Sequence, residues 1–374
     1  MRCRPGIFIS LLALWFTGSV RAQVPVVTQT NFTFRVMAAN ITTGNNQRYE
    51  TPGLNIFKGL KPDVVAVQEF NYASATTNGI NTTNAFREMI DDAFGTNFVY
   101  FRESASGYSI PNGIISRWPI LTNGSWDDVR VPDRGFAWAC IDLPGADDLY
   151  VVSVHLHSSG GAFSRAIEAT NLTALIQSSF PAGAFIVVAG DLNTDSRSEL
   201  ALTQFKTFLS DAAIPHDGTI AADPDTNLSR GKPYDYVLPS FTLDSNRVAT
   251  VIGSRTHANG LVFDSRVYTP LSEVSPVVST DSSAVNMQHM AVVKDFRLSA
   301  TMTNFITVPR PVLTLMTTNI IRWAGVSNLT YSVHGATNLN NWLPLGTATS
   351  TTTNFSFTNT QPATARRFYR VTWP

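Results

Sequence analysis

Cysteine is almost absent from this chain: there are two in 374 residues, Cys3 and Cys140. Also missing is any apolar run near the ~20 residues that a membrane helix needs. The N-terminal run from Ile7 to Phe16 follows Arg2 and Arg4 and precedes the small-residue pattern Val20-Arg21-Ala22. That is the layout of a secretory signal peptide, so residues 1–22 are expected to be removed near Ala22 and the mature chain to be secreted, periplasmic or extracellular, without a transmembrane segment. Cys140 would then stand alone, which excludes an intrachain disulfide in the mature chain, and "GFAWACIDL" reads as core rather than as a nucleophile's setting. A broad basic surface is missing too. Residues 23–300 carry 19 basic and 27 acidic side chains, a formal charge of −8. Passive capture of nucleic acid on such a surface is disfavoured, and an anionic substrate would need local charges or a bound cation.

Two composition regimes are present. From about residue 31 to 298, apolar strand-like runs alternate with helical stretches such as "TNAFREMIDDAF" and "SRAIEATNLTALIQSSF". Strands are expected at 32–38, 64–68, 113–116, 150–154, 186–189, 234–238 and 290–296, which makes residues 23–300 an α/β body. The threonines and prolines of 301–312 read as a linker. Residues 313–374 hold short alternating strands, four arginines and no acid, and read as a small all-β sandwich domain.

What the α/β body does contain is a series of β-branched apolar runs that end in polar or ionisable residues. They are "MAANITTG" with Asn40, "VVAVQEF" with Glu69, "VVSVHLHS" with His155, "VVAGDLNTD" with Asp191 and Asn193, "YDYVLPS" with Asp235 and "MQHMAVVKDF" with His289. Buried strands are rigid supports, and side chains at their ends can converge on one rim however distant in sequence. Glu69 offers the hard carboxylate oxygen that Mg²⁺ prefers. His155 and His289 can exchange protons near neutral pH, and a carboxylate partner fixes a histidine's tautomer. Asp191 and Asn193 share a side if the local chain is extended.

In this order, and with "NGIISRWPI" between the second and third, the motifs resemble the endonuclease/exonuclease/phosphatase superfamily over residues 34–296. The resemblance implies a four-layer α/β sandwich with its site at one end of two packed sheets. It implies a hydrolase of phosphoric esters, a metal-dependent phosphodiesterase that uses Mg²⁺ or Mn²⁺ in an in-line attack of water on nucleic acid or a phospholipid head group. Carried over by position, Asn40 and Glu69 hold the metal, Asp191 orients or activates the water, and Asn193 contacts phosphate. His155 lies by the leaving or phosphoryl oxygen, and His289 pairs with Asp235. His157 is one further candidate on the same strand end, Glu103 is a candidate to orient His155, and Asp195 is expected to cap a helix.

One position departs from the resemblance. The superfamily usually reads Ser-Asp-His before its last strand, and this chain reads Met287, Gln288 and His289. Gln288 takes the place of a metal-binding aspartate and offers only a neutral oxygen; Asp281 is the nearest upstream carboxylate. Two other readings therefore stand: a catalytically silent secreted binding protein on the same fold, and an adhesion or carbohydrate-contacting protein acting through the C-terminal β-domain. In the latter, Trp323, Tyr331, Trp342 and Trp373 form either a platform or a core. Substrate and oligomeric state are left open.

Overall fold

The computed structural model describes residues 23–72, 83–104, 107–308, 311–316, 319–362 and 367–373, and side chains from residue 29 on, those of 301–307 excepted. The expected signal peptide, with Cys3, lies outside the described residues. Among the described residues the chain divides into two compact units, one holding residues 29–301 and the other residues 23–28 and 302–374.

In chain order the larger part of the fold runs β1 (Gln23–Ala39), α1 (Thr51–Leu60), β2 (Val64–Val67), α2 (Thr83–Ala93), β3 (Val99–Arg102), β4 (Gly113–Ser116), β5 (Ile120–Asp127) and β6 (Gly135–Ile141). It continues with β7 (Leu149–His155), α3 (Gly161–Ser179), β8 (Phe185–Asp191), α4 (Leu200–Phe205), β9 (Asp235–Pro239) and α5 (Phe241–Asp244). Short strands β10 (Arg247–Val248), β11 (Thr250–Ile252), β12 (Arg255–His257) and β13 (Leu261–Phe263) lead to the long β14 (Ala291–Thr307). One sheet is ordered β10-β14-β1-β2-β4-β3, with β13 also on β14, and the other β5-β6-β7-β8-β9. Both are mixed: β1 with β2 and β7 with β8 are parallel, while β2 with β4 and β8 with β9 are antiparallel.

Side-chain alternation builds four layers from these sheets. On β1, Val36 and Ala38 face the second sheet, where they meet Val151, Val187, Ala189 and Val237. Met37 and Ala39 face the other way and are covered by α1 and α2 through Ile56, Phe57, Met89 and Ile90. On the far side of the second sheet, Val152, Val154 and Val188 pack under α3 and α4 through Leu172, Ile176, Leu202 and Phe205. Strands covered on both faces must be apolar at every position, which is why these runs do not alternate in sequence. Each fully buried Val, Leu, Ile or Phe contributes about 1.5–3 kcal/mol. The expected four-layer α/β sandwich is therefore present.

Cys140 is fully buried on β6, as the core reading expects. Two expectations change. The segment read as a linker runs as strand to Thr307, because Thr301, Thr303, Ile306 and Thr307 are β-branched and favour extended backbone. Asp195 caps no helix, since α4 starts only at Leu200; its carboxylate instead meets Arg165 and Lys232.

The second unit contains β15 (Thr314–Leu315), β16 (Ile320–Ala324), β17 (Thr330–Ala336), β18 (Leu343–Thr349), β19 (Asn354–Thr358) and β20 (Phe368–Thr372). They form two antiparallel three-stranded sheets, β15-β16-β19 and β18-β17-β20. Trp323, Tyr331 and Phe355 are buried together in the core of this unit, as expected for aromatics of a small all-β domain. Among the described residues no helix is long and apolar enough to cross a membrane.

Candidate active site

Strand register brings the ionisable residues together. In the second sheet His155 of β7 is paired with Asp191 of β8, and Asp191 with Asp235 of β9. Three neighbouring strands thus end at one level, and paired residues present their side chains on the same face. In the first sheet Ala39 is paired with Val67, so Asn40 and Glu69 emerge beside one another. Tyr49 ties these two strand ends, its hydroxyl donating to the carbonyls of Ala39 at 2.5 Å and Gln68 at 3.1 Å. Gln68 Nε2 donates to Ser153 Oγ at 2.8 Å, and Ser153 Oγ donates to the Val67 carbonyl at 2.8 Å. These two bonds stitch one sheet to the other directly beneath the cluster.

Two tight backbone conformations aim the side chains. Gly190 has φ +137°, and a Cβ there would lie 2.2 Å from the Val154 carbonyl and 2.5 Å from Gln68 Nε2; only glycine fits the approach of the two sheets. Glu69 at φ 49° and Asn193 at φ 50° are left-handed non-glycine residues. Such conformations raise the local energy by roughly 1 kcal/mol or more and persist where surrounding contacts over-determine them. For Asn193 the contacts are its own N–H to Asp191 Oδ1 at 2.7 Å, and its Nδ2 to Asp191 Oδ2 at 3.0 Å and to the Leu156 carbonyl at 2.9 Å.

Asp191 is the hub. Its Oδ2 accepts from Asn40 Nδ2 at 3.0 Å and lies 3.3 Å from His155 Nε2 and 3.5 Å from His289 Nε2. On its other side His289 holds Asp235, Nδ1 to Oδ2 at 2.9 Å. All of these side chains are buried. Burial pushes the Asp191 carboxyl up, with Asp235 pushing the same way and His289 opposing, to about 7. Burial pulls His289 down, but the charges of Asp235 and Asp191 outweigh it and raise the imidazole to about 10. His155 is shifted the opposite way although its Nε2 lies beside Asp191: burial, Arg134 and His289 hold it well below the usual histidine range. One histidine is thus kept charged and the other neutral a few ångströms apart.

The oxygen donors suit a hard divalent cation. Asn40 Oδ1 is buried without a hydrogen-bond partner. The Glu69 carboxylate accepts from Thr42 Oγ1 at 2.5 Å, and burial holds its pKa above the ordinary value. Mg²⁺ or Mn²⁺ takes such oxygens, and a cation would relieve both the orphaned amide oxygen and the desolvated carboxylate. A second donor set, Asp191, Asp235 and His289, has ligand atoms within 4.8 Å of one another. Those groups already engage one another, and the mixed nitrogen and oxygen set suits an oxygen-preferring cation less well.

Of the candidate residues, Asn40, Glu69, His155, Asp191, Asn193, Asp235 and His289 lie at this end of the sheets. Gln288 is exposed, and its carbonyl accepts from Leu228 N–H at 2.8 Å; among the described residues no hydrogen bond joins its side chain to the cluster. Asp281 is buried elsewhere and bonds Asn55 and the Val278 N–H. Glu103 does not orient His155. Its carboxylate accepts from Ser125 Oγ and the N–H groups of Asn112 and Gly135, bracing a loop instead. His157 turns away as well, because β7 ends at His155 and the His157 ring meets Ser164 and Ser159.

Three neighbours were not singled out by the sequence: Thr42, Arg134 and Glu168. Thr42 stands two residues after Asn40 and was within reach of local inspection. Arg134 is buried and donates to the carbonyls of His155 and Leu156, at 2.8 and 3.2 Å. Glu168 of α3 accepts the His157 N–H at 3.0 Å. Both anchor the chain just after β7, and no local pattern marks them.

Residues 54–254 match the model of the Endonuclease/Exonuclease/phosphatase family. Among solved structures, the chain is similar to an endonuclease/exonuclease/phosphatase from Beutenbergia cavernae, with 15% identity and a TM-score of 0.48 over 91% of this chain and 100% of that one. It is also similar to the human Nocturnin catalytic domain with bound sulfate, at 14% identity and TM-score 0.48 over 74% of this chain and 98% of that one. The beta toxin of Staphylococcus aureus gives 13% identity and TM-score 0.42 over 70% and 99%. No curated protein matches the chain at a comparable level. The family match spans more than half of the sequence, its strands carry the cluster around Asp191, and the chain belongs to the endonuclease/exonuclease/phosphatase family.

Proposed function

We propose that this chain hydrolyses phosphodiesters with the aid of a divalent cation held by Asn40 and Glu69. The observation that carries this reading is the convergence of Asn40, His155 and His289 on one buried carboxylate oxygen of Asp191, beside an unpartnered amide oxygen and a desolvated glutamate. Bound there, Mg²⁺ or Mn²⁺ would supply Lewis-acid stabilisation of the charge that develops on the phosphoryl oxygens.

The chain's own groups divide the remaining work. Asp191, pushed up to about 7 by burial, is a base of suitable strength to orient a water and accept its proton. Asn40 and Asn193 each donate an amide hydrogen to Asp191 and so fix the direction of its free lone pairs. His289, held charged by Asp235, places a positive hydrogen-bond donor next to a phosphoryl oxygen. His155, kept neutral, can pass a proton at Nε2 without adding a second positive charge. Arg134 holds the His155 carbonyl and with it the ring. The leader-like N-terminus supports export, which N-terminal sequencing of the secreted protein would test.

The test is hydrolysis of bis(p-nitrophenyl) phosphate by the purified chain. Turnover should appear with Mg²⁺ or Mn²⁺, vanish in EDTA and return on adding the metal. Full activity in chelator would overturn the metal assignment, and no turnover with any divalent metal would favour the silent binding protein that Gln288 raises.

A further inference from the structure

Acidic residues stop early in this chain: the last of the 27 is Asp295. Residues 302–374 carry five arginines, no lysine and no acid, a formal charge of +5 within a protein whose net charge is zero. Charge segregated this completely gives one unit an affinity for anions that the other does not share.

The unit also has a place to use it. A cleft of about 760 Å³ is lined by Asn338, Asn340, Asn341, Trp342, Gln361 and Arg367, among others, a size that holds a small ligand or a few sugar rings. While Trp323, Tyr331 and Phe355 fill the core, Trp342 lies outside that cluster. Its indole is fixed by Nε1 donating to the Leu339 carbonyl at 3.1 Å, and the Arg370 guanidinium sits 4.8 Å from its ring centroid. Arg370 is paired in register with His334, whose Nδ1 is buried without a partner. Leu339, Leu343 and Phe368 are exposed at the loop and strand ends.

We propose that the unit 302–374 binds an anionic polysaccharide in this cleft. Four neutral amides provide paired donors and acceptors for sugar hydroxyls. A guanidinium stacked on an indole is pre-organised, with its N–H edge left to take a carboxylate or sulfate. A single-stranded nucleic acid fits less well. It calls for a run of open aromatic faces and a track of basic side chains along the phosphates, whereas here one indole lies at the cleft and already carries an arginine. The inference does not rest on the phosphodiesterase reading, since it uses none of the residues around Asp191.

The experiment is calorimetric titration of the whole chain with an oligogalacturonate, a heparin dodecasaccharide, neutral maltohexaose and a dT12 oligonucleotide. At least one of the two anionic glycans is expected to bind, carboxylate or sulfate being told apart by which, with maltohexaose silent and dT12 weaker. Trp342→Ala and Arg370→Gln should weaken that binding by about tenfold, Arg370→Lys by less, and all three should melt as the parent does and keep its rate on a chromogenic diester. The proposal is overturned if neither anionic glycan binds, if maltohexaose binds equally, if dT12 binds more tightly, or if folded Arg370→Gln and Arg370→Lys bind as the parent does.

Discussion

Glu168 offers the sharpest test of the electrostatics behind the cluster. Its side chain is fully buried on α3 and takes the His157 N–H, while its carboxyl also meets that of Asp128. Asp128 Oδ2 is buried with no donor available. Two carboxylates cannot bond each other, so the contact holds only when one carries a proton. Burial first, and Asp128 second, push the Glu168 carboxyl up from its ordinary 4.5 to about 8. The sign follows from proton binding: between pH 4.5 and 8 the folded chain keeps a proton that the unfolded chain releases, so stability is full below about 4.5 and declines as pH rises towards 8. At about 1.4 kcal/mol per pH step, the loss at pH 7 is about 3 kcal/mol as an upper bound, and sharing of the proton with Asp128 makes 1–3 kcal/mol the working range. Glu168→Gln keeps the shape, donates to Asp128 and cannot ionise. The variant should therefore melt above the parent by roughly 3–10 °C at pH 7, nearly with it at pH 5, and with a gap that widens to pH 8. Thermal melts of both proteins at pH 5, 6, 7 and 8 decide the matter. A variant less stable than the parent at pH 7, or a gap that does not grow with pH, would refute a shared proton and mean that Glu168 is ionised in the fold.

Much of the fold was readable because the central strands are covered on both sides. Val64–Val67, Tyr150–Val154 and Ile186–Ala189 can be nothing but buried strand in so short a space. Strand β5 was missed for the opposite reason, since Thr122, Asn123, Gly124 and Ser125 interrupt its apolar pattern. Helix α1 was hidden by Gly53 and Gly59, poor helix formers that close packing demands: a Cβ at Gly59 would sit 2.3 Å from the Val274 carbonyl, and one at Gly53 2.7 Å from that of Ile41. The site residues were legible because each closes an apolar run. Arg134 and Glu168 were not, because they act on the backbone at 155–157 through bonds that only the assembled layers create. Glu103 shows the limit of proximity in sequence motifs: a carboxylate near a strand end braced a loop, not a histidine.

Four further outcomes are expected. Gly190→Ala, with φ +137° and a Cβ contact of 2.2 Å to the Val154 carbonyl, should destabilise by roughly 3 kcal/mol or more, seen as a drop in denaturation midpoint; a loss below about 1 kcal/mol would mean that β8 can draw back from β7 there. Arg134→Met removes the donor to the His155 carbonyl and should lower kcat by about tenfold or more with little change in KM, which initial rates on a diester measure. Gln288→Asp should lower the Mg²⁺ concentration for half-maximal rate if the side chain can turn inward from its exposed position, whereas unchanged metal dependence would assign the position to the surface. The last concerns Asp235 and His289, joined at 2.9 Å with Asp235 Oδ1 otherwise unpartnered. If Asp235 acts only by keeping His289 charged and oriented, Asp235→Asn and His289→Ala remove the same interaction. Each alone should then reduce kcat by about 10²–10⁴, and the double variant should lose little beyond the worse single one. Asp235→Asn leaves an imidazole beside a neutral amide, so its rate relative to the parent, which shares the titration of Asp191, should rise as pH falls and His289 regains its proton, a trend that His289→Ala cannot show. Additive losses in the double variant, or a ratio of Asp235→Asn to parent that does not change with pH, would separate the two residues and give Asp235 a role of its own at the phosphate.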